Sequence, residues 1–309
     1  MGGFECSTHC IRSGRRLDIV ASSQHERFAF QDYQRLQAVG MTTARDGFRW
    51  HLIETSPGQY DFSSVLRVIR AARENGVQVV WDLMHYGWPD GLDILSPEFV
   101  IRFAGCRARG SRSTPDRKPC RADRLPDQRN LVFSWAAGEV AYFYPFLNER
   151  GEEVKEQMIR ASIAAMVAIW QVAPNARFVH CDPMIHMAAN ARKPQQKSAA
   201  ERQRRSQFES WDMIAGRRKA HLGGNPKYLD IIGANYYIHN QWIHAGGPNT
   251  LSPPSHPQHR PPGKFCRKFT RVISARFSSP KPASKPKNAH PGCVISRARR
   301  ILPCETACH

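Results

Sequence analysis

Apolar strands that alternate with amphipathic helices are the feature that most constrains the fold of this chain. Residues 77–85 (VQVVWDLMH) are apolar almost throughout, which is typical of a parallel strand that is covered on both faces. Further strands and helices with the expected periodicity lie at 25–39, 63–76, 152–172, 176–182 and 228–237. Alternation of this kind over 309 residues predicts an α/β fold, and the length favours a (β/α)8 TIM barrel over an open sheet.

Two segments interrupt this alternation and carry most of the positive charge. The formal net charge is +19, and residues 105–133 hold eight basic and three acidic residues, while residues 262–309 hold eleven and one. Neither segment has the apolar periodicity of a helix or strand. We therefore predict a barrel domain over 1–261 that is interrupted by a basic segment at 105–133, and a disordered basic tail over 262–309. The barrel would be incomplete, because its fourth, seventh and eighth strands would be disrupted.

Composition limits the classes of partner. No run of eighteen apolar residues exists, so we expect no membrane span, and the N-terminus lacks the pattern of a secretory signal, which favours a cytoplasmic protein. The histidines are scattered without metal-ligand spacing, so we predict no metal site and no cofactor. The concentration of charge in two irregular segments argues against a nucleic-acid partner. A basic nucleic-acid-binding protein that uses those segments stays open as the competing class. The sequence does not indicate an oligomeric state.

Four motifs occur in a fixed order along the regular part of the chain. They are ARDGFRWHLIE (44–54), DLMHYGWPDGL (82–92), SWAAGEVAYFYPF (134–146) and LDIIGANYY (229–237). Together they resemble the family 1-like β-glycosidases of the barrel-fold glycoside hydrolases. The resemblance implies hydrolysis of O-glycosyl bonds in a small β-glycoside, by a retaining mechanism that uses two carboxylates about 5 Å apart.

The same resemblance suggests roles for particular side chains. Arg45 is similar to the arginine that stabilises the nucleophilic carboxylate, and His85 to the histidine that hydrogen-bonds sugar hydroxyls. Asn235 and Tyr237 resemble a sixth-strand pair in which the tyrosine hydroxyl contacts the nucleophile.

Three further side chains are candidates with an open alternative. Trp88 could stack on a sugar ring or pack in the core. Glu5, near the first strand, could bind sugar hydroxyls. Asp182 ends a strand and could face the mouth of the barrel, or it could cap a helix or lie in a loop.

The two catalytic carboxylates of such an enzyme are missing where the resemblance places them. The acid/base glutamate is expected near Gln128-Arg129 and the nucleophile near Pro280-Lys281, inside the two irregular segments. With suitable codons, a shift of reading frame converts these positions into Asn-Glu and Glu-Thr-Gly motifs. We therefore hypothesise frameshifts near residues 105, 133 and 262. The chain would then be inactive, prone to aggregation, or a non-catalytic sugar-binding remnant.

Overall fold

Parallel strands and the helices that cover them build the computed structural model, which describes residues 1–112, 133–237, 240–244, 257–277 and 301–304. The strands are β1 Gly2–Gly3, β2 Thr43–Gly47, β3 Glu54–Ser56, β4 Gln59–Tyr60, β5 Gln78–Asp82, β6 Val179–Pro183, β7 His186–Ala188, β8 Ile231–Asn235, β9 Gln241–Ile243 and β10 Ile301–Cys304. Two three-stranded parallel sheets have the orders β1-β2-β5 and β10-β8-β6. A short antiparallel pair, β3-β4, and a short parallel pair, β7-β9, complete the pairing of the described strands.

Helices follow most of the strands along the chain, as the alternation predicts. The α-helices are α1 Ile19–Ser22, α2 His25–Ala38, α3 Trp50–Ile53, α4 Ser63–Glu74, α5 Pro97–Arg112, α6 Gly151–Val172, α7 Lys197–Ser206, α8 Glu209–Ile214 and α9 Pro262–Phe277. A π-helix spans Ser134–Glu139, and 3-10 turns span Pro194–Gln196, Ala220–Leu222 and Pro226–Tyr228. No helix among these is long and apolar enough to cross a membrane.

The two three-stranded sheets have an outer and an inner face. Alternate residues such as Ile232 and Ala234 of β8 belong to the large core that the helices share. The residues between them face the other way: Val80 of β5 forms a small separate cluster with Val179, Cys181 and Ile231 of the second sheet. A residue two positions away from one of these four along the same strand therefore also points into the space between the two sheets.

Regular structure extends into both segments that the sequence marks as irregular. Helix α5 continues to residue 112, because Phe99, Phe103 and Cys106 continue a buried stripe that packs against α6. Helix α9 occupies the start of the predicted tail, since Phe269 and Ile273 lie one turn apart and are both buried. The prediction of irregular structure is therefore wrong for 105–112 and 262–277. Lys and Arg residues between the apolar positions had concealed the helical period.

The part of the chain that the structure describes does not form a closed barrel. The position expected for the fourth barrel strand falls within 113–132, outside the described residues. The strand β10 pairs in parallel with β8 over four residues, from Ile301↔Ile232 to Cys304↔Asn235. The α/β fold is confirmed, and the state of the other disrupted strands stays a prediction.

Candidate functional site

A cluster of buried polar side chains lies at the carboxyl ends of β2 and β5. Arg45 pairs with Val80 in the sheet register, so its side chain shares the inner face with Asp82, two residues further along β5. The Nη2 atom of Arg45 donates hydrogen bonds to Oδ2 of Asp82 and, at 3.2 Å, to Nδ1 of His85. All three residues are at most 4% exposed. In this low-dielectric setting the guanidinium and the carboxylate form a charge-assisted pair that fixes both side chains.

The Nδ1 atom of His85 faces a donor on one side and a carboxylate on the other. The Arg45 guanidinium only donates, so Nδ1 accepts from it in the tautomer that carries its hydrogen on Nε2. Oε1 of Glu5 lies 3.4 Å from the same Nδ1 and accepts a hydrogen bond from the backbone N–H of Ser7. The side chain of Glu5 is half exposed, so a carboxylate faces solvent beside the buried imidazole.

Cys6 completes the cluster from the loop that follows β1. Its thiol donates to Oδ2 of Asp82 at 3.1 Å and lies 3.2 Å from Nδ1 of His85. Burial raises the pKa of this thiol well above its usual value, and the charge of Asp82 raises it further, whereas Arg45 lowers it. The site is therefore built around a neutral thiol, which is a poor nucleophile. A glycine at position 47 makes room for it, because a Cβ there would lie 2.4 Å from the sulfur of Cys6.

Cys6, Asp82 and His85 also have a spacing suited to a metal ion. One ligand atom from each lies within 4.8 Å of the others, and among the described residues this is the group with such a spacing. Arg45, however, already places a positive charge against both Asp82 and His85. A cation would have to displace this guanidinium, so the donor set fits an organic ligand with hydroxyl groups better than a metal.

The second sheet presents Asn235 to the same end of the interior. Asn235 lies four residues after Ile231 on β8, so its side chain points to the same inner face, past the small apolar cluster. It is 2% exposed. Neither its side-chain oxygen nor its nitrogen has a hydrogen-bond partner among the described residues. Tyr237, two residues further along, is half-buried, and its carbonyl accepts the backbone N–H of Asn240. An unpaired buried amide costs free energy unless a ligand or water satisfies it.

Two of the sequence candidates lie elsewhere. Trp88 is 2% exposed, its indole N–H donates to the carbonyl of Leu92, and rings of Phe99 and Phe133 contact it edge-on. It packs in the core and offers no face to a sugar. Asp182 pairs with Ala234, on the face that the helices cover, so alternation turns its side chain away from the interior.

The sequence analysis did not single out Asp82, Cys6 and Tyr86, which belong to this region. Tyr86 follows His85 with a positive φ of 64°, which is uncommon for a residue other than glycine, and its ring stacks on Phe143 at 5.4 Å. The carboxylate at the end of β5, three residues before His85, was the signal available in the sequence. The positions expected for the two catalytic glutamates, 128–129 and 280–281, lie outside the described residues.

The structure resembles those of β-glucosidases. A variant of a rice β-glucosidase, solved in a covalent complex with Glc, matches 87% of this chain with a TM-score of 0.66 and 15% identity, over 70% of its own length. The family 1 β-glucosidase of Thermotoga maritima matches 83% of the chain with a TM-score of 0.62 and 12% identity, over 65% of its length. A β-glucosidase of Exiguobacterium marinum matches 82% with a TM-score of 0.63 and 12% identity, over 66% of its length.

Comparison of sequences adds nothing to this likeness, since no protein-family model and no curated protein matches the chain. The chain spans little more than half the length of some structural neighbours, such as an enzyme of Alicyclobacillus herbarius at 54%. At this low identity the likeness establishes a shared α/β fold.

Proposed function

We propose that this chain derives from a β-glycosidase, an enzyme that hydrolyses O-glycosyl bonds, and that it retains the sugar-binding part of that site. The fold shared with β-glucosidases supports the assignment, and so does the position of the polar cluster at the carboxyl ends of parallel strands, where catalytic groups of barrel enzymes lie. The expected ligand is the sugar ring of a small β-glycoside.

The observation that carries this proposal is the buried amide of Asn235, which has no hydrogen-bond partner in the part of the chain that the structure describes. An amide offers one acceptor and two donor hydrogens, which is the chemistry needed to bind neighbouring hydroxyl groups. On the facing sheet, the imidazole of His85 lies beside the half-exposed Glu5 carboxylate, which can accept from a hydroxyl. Donors and acceptors on two facing sheets suit a polyhydroxylated ring better than an apolar or singly charged ligand.

Hydrolysis by this exact chain should be negligible. A retaining glycosidase needs an acid/base and a nucleophile, and the chain has Gln128-Arg129 and Pro280-Lys281 where its resemblance to that family places them. Acid/base assistance alone contributes about 10²–10⁴-fold, so the loss of both groups removes the reaction. Frameshifts near 105, 133 and 262 would account for both losses. Sequencing of the coding DNA tests this directly, since codons incompatible with the shifted motifs would refute it.

Titration calorimetry with a panel of methyl β-glycosides tests sugar binding. We expect at least one glycoside to bind and Asn235→Leu to abolish that binding while leaving the free energy of unfolding equal or higher, because the amide has no partner within the described protein. The matched control is Asn75→Leu. The amide of Asn75 donates to the carbonyl of Ala71 at the end of α4, so this change should lower stability and leave binding intact.

Two results would contradict the proposal. If no glycoside of the panel binds to the wild-type protein, or if Asn235→Leu binds as tightly as the wild type, the site does not recognise sugars through this amide. Turnover of a p-nitrophenyl β-glycoside at an enzymatic rate would leave binding intact but refute the loss of the catalytic groups.

A further inference from the structure

Helix α9 presents a continuous row of basic side chains to solvent. Lys264, Arg267, Lys268 and Arg271 are exposed and follow the spacing i, i+3, i+4 and i+7, so they share one face. At 1.5 Å per residue the row is about 10 Å long. Among the described residues, no carboxylate lies within ion-pair distance of any of the four. We call these four residues the basic row.

A small cleft adjoins the basic row where α9 meets the end of α7. Lys268, Arg204 and His186 line it together with apolar side chains, and its volume of about 10 Å³ is too small for a phosphate group. Nε of Arg260 donates to Nε2 of His186 at 3.2 Å, which brings a further guanidinium to the same place. Glu201 is the acidic residue nearby, and its carboxylate already binds Arg204 through two hydrogen bonds of 2.7 and 2.6 Å.

The local positive potential is reflected in the titration of the groups within the cleft. Burial, followed by the charges of Arg260, Lys268 and Arg204, lowers the pKa of His186 to about 4. The pKa of Lys268 is lowered as well, first by burial and then by Arg260 and Arg204. Such mutual repulsion among cations is relieved when an anion binds between them.

The packing of α9 determines which kind of polyanion fits. Its apolar side is occupied, because the ring of Phe269 lies 5.7 Å from those of Phe208 and Trp211, and Ile273 is buried beside it. A basic amphipathic helix that binds a lipid surface inserts its apolar side, which α9 cannot do without leaving the core. The basic row alone is available, and a row of charges suits a linear array of phosphates.

We infer that the basic row binds the phosphate backbone of nucleic acid. Duplex DNA carries one charge per about 1.7 Å of its axis, so a row of about 10 Å spans about six charges, and its four side chains can contact roughly four phosphates. The sequence argued against such a partner because its basic segments were expected to be irregular, whereas α9 holds these charges in a fixed array. The inference concerns this polypeptide, whatever the origin of its codons, and is independent of sugar binding.

Fluorescence anisotropy with a labelled 20-base-pair duplex tests this inference. With about four phosphate contacts, log K should fall with log salt at a slope of about −4, and affinity should fall about 10²-fold between 50 and 200 mM salt. The variant Lys264→Gln/Arg267→Gln/Arg271→Gln should reduce the slope to about −1. The matched control Arg67→Gln/Arg70→Gln/Arg73→Gln removes the same charge from the exposed face of α4 and should keep the wild-type slope.

A second measurement needs only the wild-type protein. Duplex DNA should slow acetylation of Lys264 and Lys268 by a soluble reagent, as followed by mass spectrometry, and should leave the exposed Lys227 unaffected. If DNA protected all three lysines equally, or if both triple variants lost DNA binding equally, the net charge of the protein would explain the binding. Either result would overturn the inference. Binding to anionic phospholipid vesicles without binding to DNA would also overturn it.

Discussion

Replacing Arg107 by methionine should stabilise the protein, although Arg107 is one of its most buried side chains. Arg107 lies on α5 and is 2% exposed. Its guanidinium sits over the ring of Phe103 at 4.8 Å and that of Trp50 at 5.1 Å, and its Nη1 donates weakly to the sulfur of Cys106 at 3.6 Å. Its Nε and Nη2 atoms have no hydrogen-bond partner among the described residues, and burial lowers the pKa of the group.

The magnitude follows from the two opposing contributions at this position. Each buried donor without a partner costs about 1–3 kcal/mol, so the two nitrogens together cost about 2–6 kcal/mol. The cation–π contacts with Phe103 and Trp50 stabilise the folded state by about 0.5–2 kcal/mol. Methionine keeps a flexible, unbranched side chain of similar reach among the same rings. We therefore expect Arg107→Met to raise the free energy of unfolding by about 0–5.5 kcal/mol, with a midpoint of about 3 kcal/mol.

Urea unfolding followed by circular dichroism measures this change. The midpoint should rise with an unchanged m-value, which marks a gain in stability without a change in the surface exposed on unfolding. Arg109→Met is the control: Arg109 is exposed and donates to the carbonyl of Gly58 at 2.9 Å, so its loss should cost up to about 1 kcal/mol. A fall in stability for Arg107→Met would refute the reasoning and would mean that the buried guanidinium has a compensating partner in solution.

Two further predictions concern the packing around β2. Burial lowers the pKa of His25, but hydrogen bonds and charges from Asp46 and Asp32 raise it by more, so its pKa in the folded state is elevated. The stability it supplies is full below its unfolded pKa and is lost as pH rises through the folded value. The difference in unfolding free energy between wild type and His25→Gln should therefore shrink from pH 6 to pH 9, and a constant difference would contradict this assignment. Gly47→Ala would place a methyl group against Cys6 and should lower the free energy of unfolding by about 1–3 kcal/mol. Calorimetric melting measures this loss, which should be smaller when the same substitution is made in a Cys6→Gly variant.

The sequence predicted the regular elements where apolar periodicity was strong. The helix expected at 25–39 is α2, His25–Ala38, and the helix expected at 152–172 is α6, Gly151–Val172. Strand ends were less well predicted: regular structure was expected over 176–182, and β6 covers Val179–Pro183. Helix α9 was missed because its two buried residues, Phe269 and Ile273, lie among basic neighbours that dominate the composition.

The sequence predicted only some of the residues in the site, and there is a physical reason why it missed the others. Arg45 and His85 were named through resemblance, and the structure places them 3.2 Å apart. Their shared partners Asp82 and Cys6 were not named, because pairing between β2, β5 and the loop after β1 depends on a sheet register that one sequence does not reveal. Trp88 was left open between stacking and packing for the same reason, since burial depends on Phe99 and Phe133, which are distant in sequence.

Arg45 and Arg107 are both buried, but their surroundings differ in how well they satisfy the charge and the hydrogen-bond donors of a guanidinium group. Arg45 is 3% exposed, and Asp82 provides the carboxylate that a buried guanidinium requires, so the cluster is electrostatically complete within one sheet. Arg107 is buried to a similar degree and contacts aromatic rings and a thiol. The charge of Glu54 favours its ionised form, but among the described contacts no hydrogen bond joins the two side chains. Because Asp82 pairs with Arg45 within one sheet, the geometry of this cluster does not depend on a seventh-strand carboxylate, as the proposed sugar-binding role requires.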